Sequence, residues 1–273
     1  VRPKVFSFGR CADLYLAGKQ GTWRNEKHRA QWSMTLGDEY CGKIRGKPVR
    51  DLNTDEIVSV LEPHWRSKHE SASRLRGRIE RVLDFAKVEG LRDGENPARW
   101  KGHLEHRLPR PESSKKREHH AALPFAQLPA FMATLRSQKG TGAKALEFLI
   151  LTAARTTEAL EAEWSEMDLQ AGIWTVPPHR MKANRLHRVP LSAGALEILT
   201  LQAKNRFGSL VFAGTKPGRP RSNMTMSKVL KTMNVTDVTV HGFRSCFRDW
   251  VAEETSFPGE VAEAALAHIV GDE

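Results

Sequence analysis

Along the chain, apolar side chains recur at helical spacing in one block after another. Residues 5–18 place Phe8, Cys11, Ala12, Tyr15 and Leu16 on one side, with Gly18 as a stop. Residues 22–36 predict a second helix, opened by Thr22 and closed by Gly37, and the Gly- and Lys-rich stretch 41–48 predicts a loop. Asn53-Thr54-Asp55-Glu56 is a capping signature ahead of Ile57, Val58 and Leu61. The clearest helix of this half is 71–89, with Leu75, Ile79, Val82, Leu83 and Ala86 as its stripe and Gly90 as its end. Periodicity is then lost over 93–121, which holds Gly94, Pro97, Gly102, Pro109 and Pro111 before Lys115-Lys116-Arg117. That loss divides the chain into a helical domain (1–110), a basic linker (111–121) and a second domain (122–273).

The second domain opens with a predicted helix over 124–138. Residues 144–164 are apolar almost all round (Leu146, Phe148, Leu149, Ile150, Leu151, Ala153, Ala154), which predicts a central buried helix. Residues 172–177 and 186–191 read as the strands of a small hairpin, with Lys182 at its apex between His179 and Arg185. Helices follow over 193–204 and 222–233, separated by strand-like Leu210-Val211-Phe212 and a Gly/Pro-rich loop. One more runs from 241 to about 254, and a last begins at 260 after Phe257-Pro258-Gly259. The expected fold class is mainly α, with a small antiparallel sheet in the second domain.

Charge narrows the partner. The chain of 273 residues is 40% hydrophobic, enough for a core, and carries a net +11. Residues 1–110 and 111–240 are each net +8, whereas 241–273 is net −5. A surface positive over most of its length favours a polyanion, and its distribution favours a DNA track. Cys11, Cys41 and Cys246 are scattered, which fits a reducing compartment and predicts no disulfide framework. His103, His106, His119 and His120 lack the cysteines or carboxylates that would complete a zinc set. No apolar run is long enough to span a membrane and no signal peptide is visible, so a cytoplasmic protein is expected. The start at Val1 and the stop at Glu273, just after an apolar helical run, read as cut ends.

Candidate chemistry gathers in the second domain. His241 and Arg244 stand three residues apart, with Phe243, Phe247 and Trp250 spaced to bury the opposite side of the same helix. A fork of N–H donors beside a titratable ring suits a phosphodiester. Arg155 stands in apolar context, where a charge is costly unless paired or working; an ion pair with Glu158 is the structural alternative. In the first domain Arg74, Arg78 and Arg81 repeat at i, i+4 and i+7, either as a solvated face or as phosphate contacts.

In order, these stretches resemble the tyrosine recombinase family, in particular the integrases of satellite phages and genomic islands. The resembling motifs are Leu151-Thr-Ala-Ala-Arg-Thr-Thr-Glu158, Met181-Lys-Ala-Asn-Arg-Leu-His-Arg-Val-Pro-Leu-Ser192, His241-Gly-Phe-Arg-Ser-Cys-Phe-Arg-Asp-Trp250 and Leu266-Ala-His-Ile-Val-Gly-Asp272. The first half resembles that branch's helical core-binding domain around Arg76–Asp84 and Gly94–Trp100. The resemblance implies a site-specific recombinase that works on double-stranded DNA through a 3′-phosphotyrosyl intermediate, with no metal or cofactor. It implies that Arg155 and Arg244 hold the scissile phosphate, and that His241 bonds the phosphate and assists proton transfer. Lys182 would protonate the departing 5′-oxygen, His268 would complete the donors, and Glu158 would orient one of them. DNA contacts are expected from Arg74, Arg78, Arg81, Lys115, Lys116, Arg117 and Arg185.

The family's nucleophilic tyrosine is expected roughly nine residues beyond the last histidine. The chain's two tyrosines, Tyr15 and Tyr40, lie in the first half. The expectation is therefore a chain that binds DNA without cleaving it and is monomeric, from a parent that forms a homotetramer on DNA, with DNA-bending accessory proteins as further partners. The principal alternative is a non-catalytic, architectural DNA-binding protein of the same fold. A type IB topoisomerase shares the chemistry, but the helical first half resembles the integrases better. An RNA-binding protein or metal-dependent nuclease lacks its aromatic boxes or carboxylate cluster.

Overall fold

The computed structural model describes residues 5–19, 21–23, 26–109, 121–216 and 218–268. The chain forms two compact units, Val1–Lys116 and Arg117–Glu273, each with its own apolar core.

The first unit is built on five helices: α1 (Phe8–Lys19), α2 (Glu26–Leu36), α3 (Asp38–Arg45), α4 (Thr54–Trp65) and α5 (His69–Val88). Thr22 does not open α2. Its hydroxyl and N–H both donate to the Lys19 carbonyl and so close α1. The loop expected over 41–48 is largely helix. Cys41 and Ile44, three apart, are both fully buried, and acids in the first turn with bases in the last favour α3 despite Gly42. The capping box ahead of α4 is present: Asn53 Oδ1 accepts from the Glu56 N–H at 3.1 Å, and Glu56 Oε2 accepts from the Asn53 N–H at 3.1 Å. Pro63 sits inside α4 and has no N–H for the Ser59 carbonyl; the Lys43 ammonium takes that acceptor at 3.3 Å. Beyond α5 the chain has turns and a short 3₁₀ segment, Leu104–His106, yet Ala98, Leu104 and Leu108 are buried in this unit's core. The stretch 93–109, though it lacks helical periodicity, therefore packs into this unit. The basic run Lys115, Lys116, Arg117 lies outside the described residues.

The second unit contains α6 (Leu128–Ser137), α7 (Thr141–Thr152), α8 (Thr156–Leu160), α9 (Ala193–Lys204), α10 (Met224–Thr232), α11 (Gly242–Glu254) and α12 (Gly259–Ala265). Strands β1 (Met167–Asp168), β2 (Ile173–Val176) and β3 (His187–Pro190) form an antiparallel sheet in sequence order, with Trp174 opposite Val189 and Val176 opposite His187. Alternation sends Trp174, Val176 and Val189 inward. The core centres on Phe148, with ring centroids 5.3 Å from Trp174 and 5.4 Å from Phe212. The long helix expected over 144–164 is broken after Thr152, a departure that shapes the site. Trp250, expected to be buried beside Phe243, is 43% exposed. Among the described residues no helix is long and apolar enough to cross a membrane.

Candidate active site

The break after α7 places the first candidate. Thr152 turns its hydroxyl back to the Phe148 carbonyl at 2.7 Å, and Ala153 takes a left-handed φ of 49°. The N–H groups of Ala153 and Ala154 bond the Ile150 and Leu149 carbonyls and close the helix. The chain then restarts as α8 with Arg155 extended at its N-cap. The Glu158 carboxylate accepts from the Arg155 backbone N–H at 2.9 Å and from Arg155 Nη1 at 2.8 Å, so one buried acid holds both parts of that residue. The ion pair weighed from sequence therefore exists. It leaves Nη2 facing the carbonyls of Leu266 and Ala267, at 3.4 and 3.3 Å.

Arg244 reaches the same place from α11. It is 5% exposed; Nη1 donates to the Ala153 carbonyl, and Nη2 donates to the Leu266 carbonyl at 2.6 Å and meets His268 Nε2 at 3.1 Å. For Nε2 to accept, His268 must carry its proton on Nδ1, where Glu263 Oε2 lies at 2.5 Å. Glu263 also accepts from Arg248 Nε at 2.6 Å, and the bonds from His268 and Arg248 hold its carboxyl below the usual range. Burial, with the Arg155 charge adding to it, pushes the Arg244 pKa down to about 10, which still leaves it protonated at neutral pH.

The start of α11 is shaped by close backbone contact. His241 is exposed at the N-cap, one turn before Arg244. Gly242 follows because the chain segment at 121–122 crosses there: a Cβ at 242 would lie 2.3 Å from the Ala121 oxygen and 2.9 Å from the Ala122 Cα. Thr239 donates its N–H to that Ala121 oxygen at 2.9 Å, and its hydroxyl accepts from the Gly242 N–H at 3.0 Å.

The hairpin presents Lys182 differently. A 3₁₀ turn, Pro178–Arg180, leads to buried Met181, after which Lys182 and Arg185 are exposed and Asn184 takes φ 52°. Lys182 makes no hydrogen bond or ion pair to any described residue.

Two residues outside the expected set belong to this region. His187 on β3 is half-buried and accompanied by Glu158, Arg155, Arg244 and the Ala265 carbonyl; burial pushes its pKa below the ordinary value. Its strand alternation with Val189, which points inward, was the available signal. Arg180, two residues before Lys182 at the hairpin apex, has a nearly buried side chain. Nη2 donates to the Glu158 carbonyl at 2.6 Å, and Nη1 donates to both oxygens of Glu166.

Among the arginines of α5, Arg74 is exposed and pairs with Glu70, and Arg81 is exposed with its guanidinium 5.7 Å from the Trp32 ring. Arg78 departs from expectation. It is 9% exposed, donates to the Gln31 carbonyl and Thr35 Oγ1 at 3.0 and 2.6 Å, and covers Trp32 at 5.2 Å. Its side chain joins α5 to α2 and is not on an open face that could meet phosphate.

Comparison with known proteins bears on this arrangement. Residues 122–269 match the phage integrase family, and residues 8–103 match the phage integrase central domain. The chain belongs to the phage integrase family. That membership agrees with the tyrosine recombinase resemblance carried by its motifs. It is 28% identical over 265 residues to prophage integrase IntZ of Escherichia coli K12, covering 96% of this chain and 64% of that protein. Prophage integrase IntA of the same strain is 32% identical over 227 residues, covering 81% of this chain and 53% of that one. The integrase of Enterobacteria phage P4 is 28% identical, covering 89% of this chain and 58% of the phage protein. The chain thus spans roughly half to two thirds of these relatives' length.

The fold is that of solved integrases. A crystal structure of a lambda integrase(75-356) dimer bound to a COC′ core site superposes with a TM-score of 0.75 at 18% identity, covering 96% of this chain and 95% of that one. The Tn1549 transposon integrase in complex with circular intermediate DNA gives 0.73 at 11% identity, covering 96% and 92%. Within this phage integrase chain, Tyr15 packs against Trp32 and Phe85 and Tyr40 against His64, all in the first unit.

Proposed function

We propose that the chain is the core-binding and phosphate-activating part of a site-specific DNA recombinase acting on double-stranded attachment-site DNA. The observation that carries this reading is the convergence of Arg155 and Arg244 on one backbone oxygen, that of Leu266, with Glu158 and His268 fixing their orientation. Two guanidinium groups a shared acceptor apart suit the two non-bridging oxygens of one phosphate, whose negative charge grows in the pentacoordinate transition state. The residues divide accordingly. Arg155 and Arg244 donate to the phosphate, Glu158 orients Arg155, and His268 joins the donors when Nε2 carries a proton in place of its contact with Arg244. His241 bonds the phosphate and takes up the nucleophile's proton. Lys182 supplies the proton for the departing oxygen.

In the cleavage step a tyrosine oxygen forms a bond to phosphorus as the bond to the 5′-oxygen breaks. The tyrosine proton passes toward His241, and a Lys182 ammonium proton goes to the leaving oxygen, giving a 3′-phosphotyrosine and a free 5′-hydroxyl. On this reading the nucleophile is a tyrosine outside residues 1–273. Residues 1–110 serve as the core-type DNA-binding domain, 111–121 as a basic linker and 122–273 as the catalytic domain. Arg74, Arg81, Arg185 and the linker cations contact DNA phosphates, and the net charge of +11 supports steeply salt-dependent binding. The complete protein works in the cytoplasm as a homotetramer on DNA, helped by proteins that bend it, while the present chain is a monomer.

The test is covalent trapping on a nicked duplex carrying the attachment core, read on a denaturing gel. The chain is compared with one extended by its natural downstream codons. An adduct with the extended chain alone is expected. Binding by both with no adduct from either would favour an architectural DNA-binding protein of this fold. An adduct from the present chain would move the nucleophile to Tyr15 or Tyr40.

A further inference from the structure

We infer that Arg180 is a positioning residue for Lys182, registering the hairpin against the helix that carries Arg155. This rests on the recombinase reading and adds a residue to it. Arg180 lies two residues before Lys182, and its side chain is 10% exposed. Its Nη2 bonds the Glu158 carbonyl at 2.6 Å, and that same residue's carboxylate holds Arg155. Its Nη1 bonds Glu166, which also accepts from Trp174 Nε1 on β2 at 2.9 Å. One planar group therefore joins the base of the Lys182 loop to α8, to the segment before β1 and to the sheet.

The turn itself is stiff up to Met181. The N–H groups of Arg180 and Met181 bond the Pro177 and Pro178 carbonyls at 3.1 and 3.0 Å, and Met181 is buried. On the far side of the loop, half-buried His187 lies on β3 beside the Ala265 carbonyl. Lys182 has no such partner among the described residues, so its reach is set by these anchors on either side of it.

Stability is a poor reason for a guanidinium here. A buried ion pair generally gains little over well-packed apolar residues, and Arg180 Nε is buried with no partner among the described residues, a further cost. What the group does supply is a two-way fork of fixed geometry that lysine cannot reproduce. It fixes the position of the proton donor relative to the phosphate held by Arg155.

The test separates proton donation from folding. The extended chain is given nicked duplexes bearing either oxygen or sulfur at the 5′-bridging position of the scissile phosphate. A departing alkoxide needs the Lys182 proton, whereas a thiolate leaves as a stable anion without one. Arg180→Lys is expected to slow adduct formation on the order of tenfold or more with oxygen while leaving the sulfur substrate unchanged. Lys182→Ala should show the same pattern, and the double variant should be no slower than Lys182→Ala alone. Equal slowing on both substrates, or no slowing on either, overturns the inference. Should Arg180→Lys melt well below wild type, Arg180→Met with Glu166→Gln removes the whole buried charge pair and carries the same comparison. A wild-type chain that forms no adduct with either substrate overturns the recombinase reading, and the inference falls with it. A wild-type adduct with equal slowing overturns the inference alone.

Discussion

Arg244 and Lys182 are two cations proposed for one reaction, and the fold treats them in opposite ways. Arg244 is 5% exposed, bonded to two carbonyls and a histidine, and placed one turn into a helix whose first residue is pinned under a crossing strand of chain. Lys182 is exposed on a hairpin and bonded to no described residue. A group that stabilises charge works best when it is already in place and need not reorganise. A group that hands over a proton must approach one atom and withdraw. Burial suits the first task, and an exposed tip on a stiff base suits the second.

Substitution should separate the two most sharply. Arg244→Ala in the extended chain is expected to lower adduct formation on the order of 10²–10³-fold. It should also lower the melting temperature, because leaving the buried Ala153 carbonyl unpaired costs about 1–3 kcal/mol. Lys182→Ala should lower adduct formation on the order of 10²-fold while melting temperature and DNA affinity stay at wild-type values. A destabilised Lys182→Ala protein, or an Arg244→Ala protein of unchanged stability, would erase the distinction.

Gly242 tests the buried side without touching a charge. Its Cβ would lie 2.3 Å from the Ala121 oxygen, so Gly242→Ala must displace either that segment or α11. A loss of about 1–3 kcal/mol is expected in denaturant unfolding, with reduced cleavage because Arg244 moves with the helix. Stability equal to wild type would show that the segment at 121–122 yields freely.

The first unit offers a smaller version of the same contrast. Arg78→Ala should destabilise by about 1–3 kcal/mol, since the Gln31 carbonyl and Thr35 hydroxyl each lose a donor and Trp32 part of its cover. Arg74→Ala should change stability by less than about 1 kcal/mol, because its Glu70 pair is exposed, yet flatten the salt dependence of DNA binding by about one ion. Titrating binding against salt, together with urea melts, would expose a reversed pattern.

The smallest effect concerns pH. His187 has a folded pKa below its ordinary value because burial disfavours the cation. The unfolded chain therefore binds that proton first as pH falls below about 6.5. Stability from this residue is whole above that point and declines as pH drops toward the folded pKa. His187→Asn should remove that part of the acid sensitivity between pH 7 and 5; identical pH profiles for the two proteins would count against it.

Much of the fold was legible because helical periodicity and capping chemistry are local. The Asn53–Glu56 box and the stripe of α5 needed nothing beyond their own residues. Failures came where the deciding partner was distant or was not a side chain. In α3, only Cys41 and Ile44 carried the apolar signal, and Gly42 with the lysines obscured it. Ala153 takes a glycine-like conformation without being glycine, so the break that frees Arg155 could not be read from Thr152-Ala153-Ala154. Arg78 lies on a repeating charged face, and its inward turn depends on acceptors in another helix. In the candidate site the residue types stood out of apolar context. Beyond the Arg155–Glu158 pair, what they bond to did not, because Arg155, Arg180 and Arg244 all reach main-chain oxygens.

That dependence on main-chain atoms has a consequence for mutational scans. The oxygens of residues 266 and 267 receive Arg155 and Arg244. Ala267 is already alanine, and at Leu266, 1% exposed, a scan would report the loss of a packed side chain. Every amino acid brings the same oxygen. Side-chain replacement could therefore map the cations of this site in full and still pass over the peptide groups that aim them. Detecting these would take backbone chemistry, such as an ester or thioamide in place of one peptide bond.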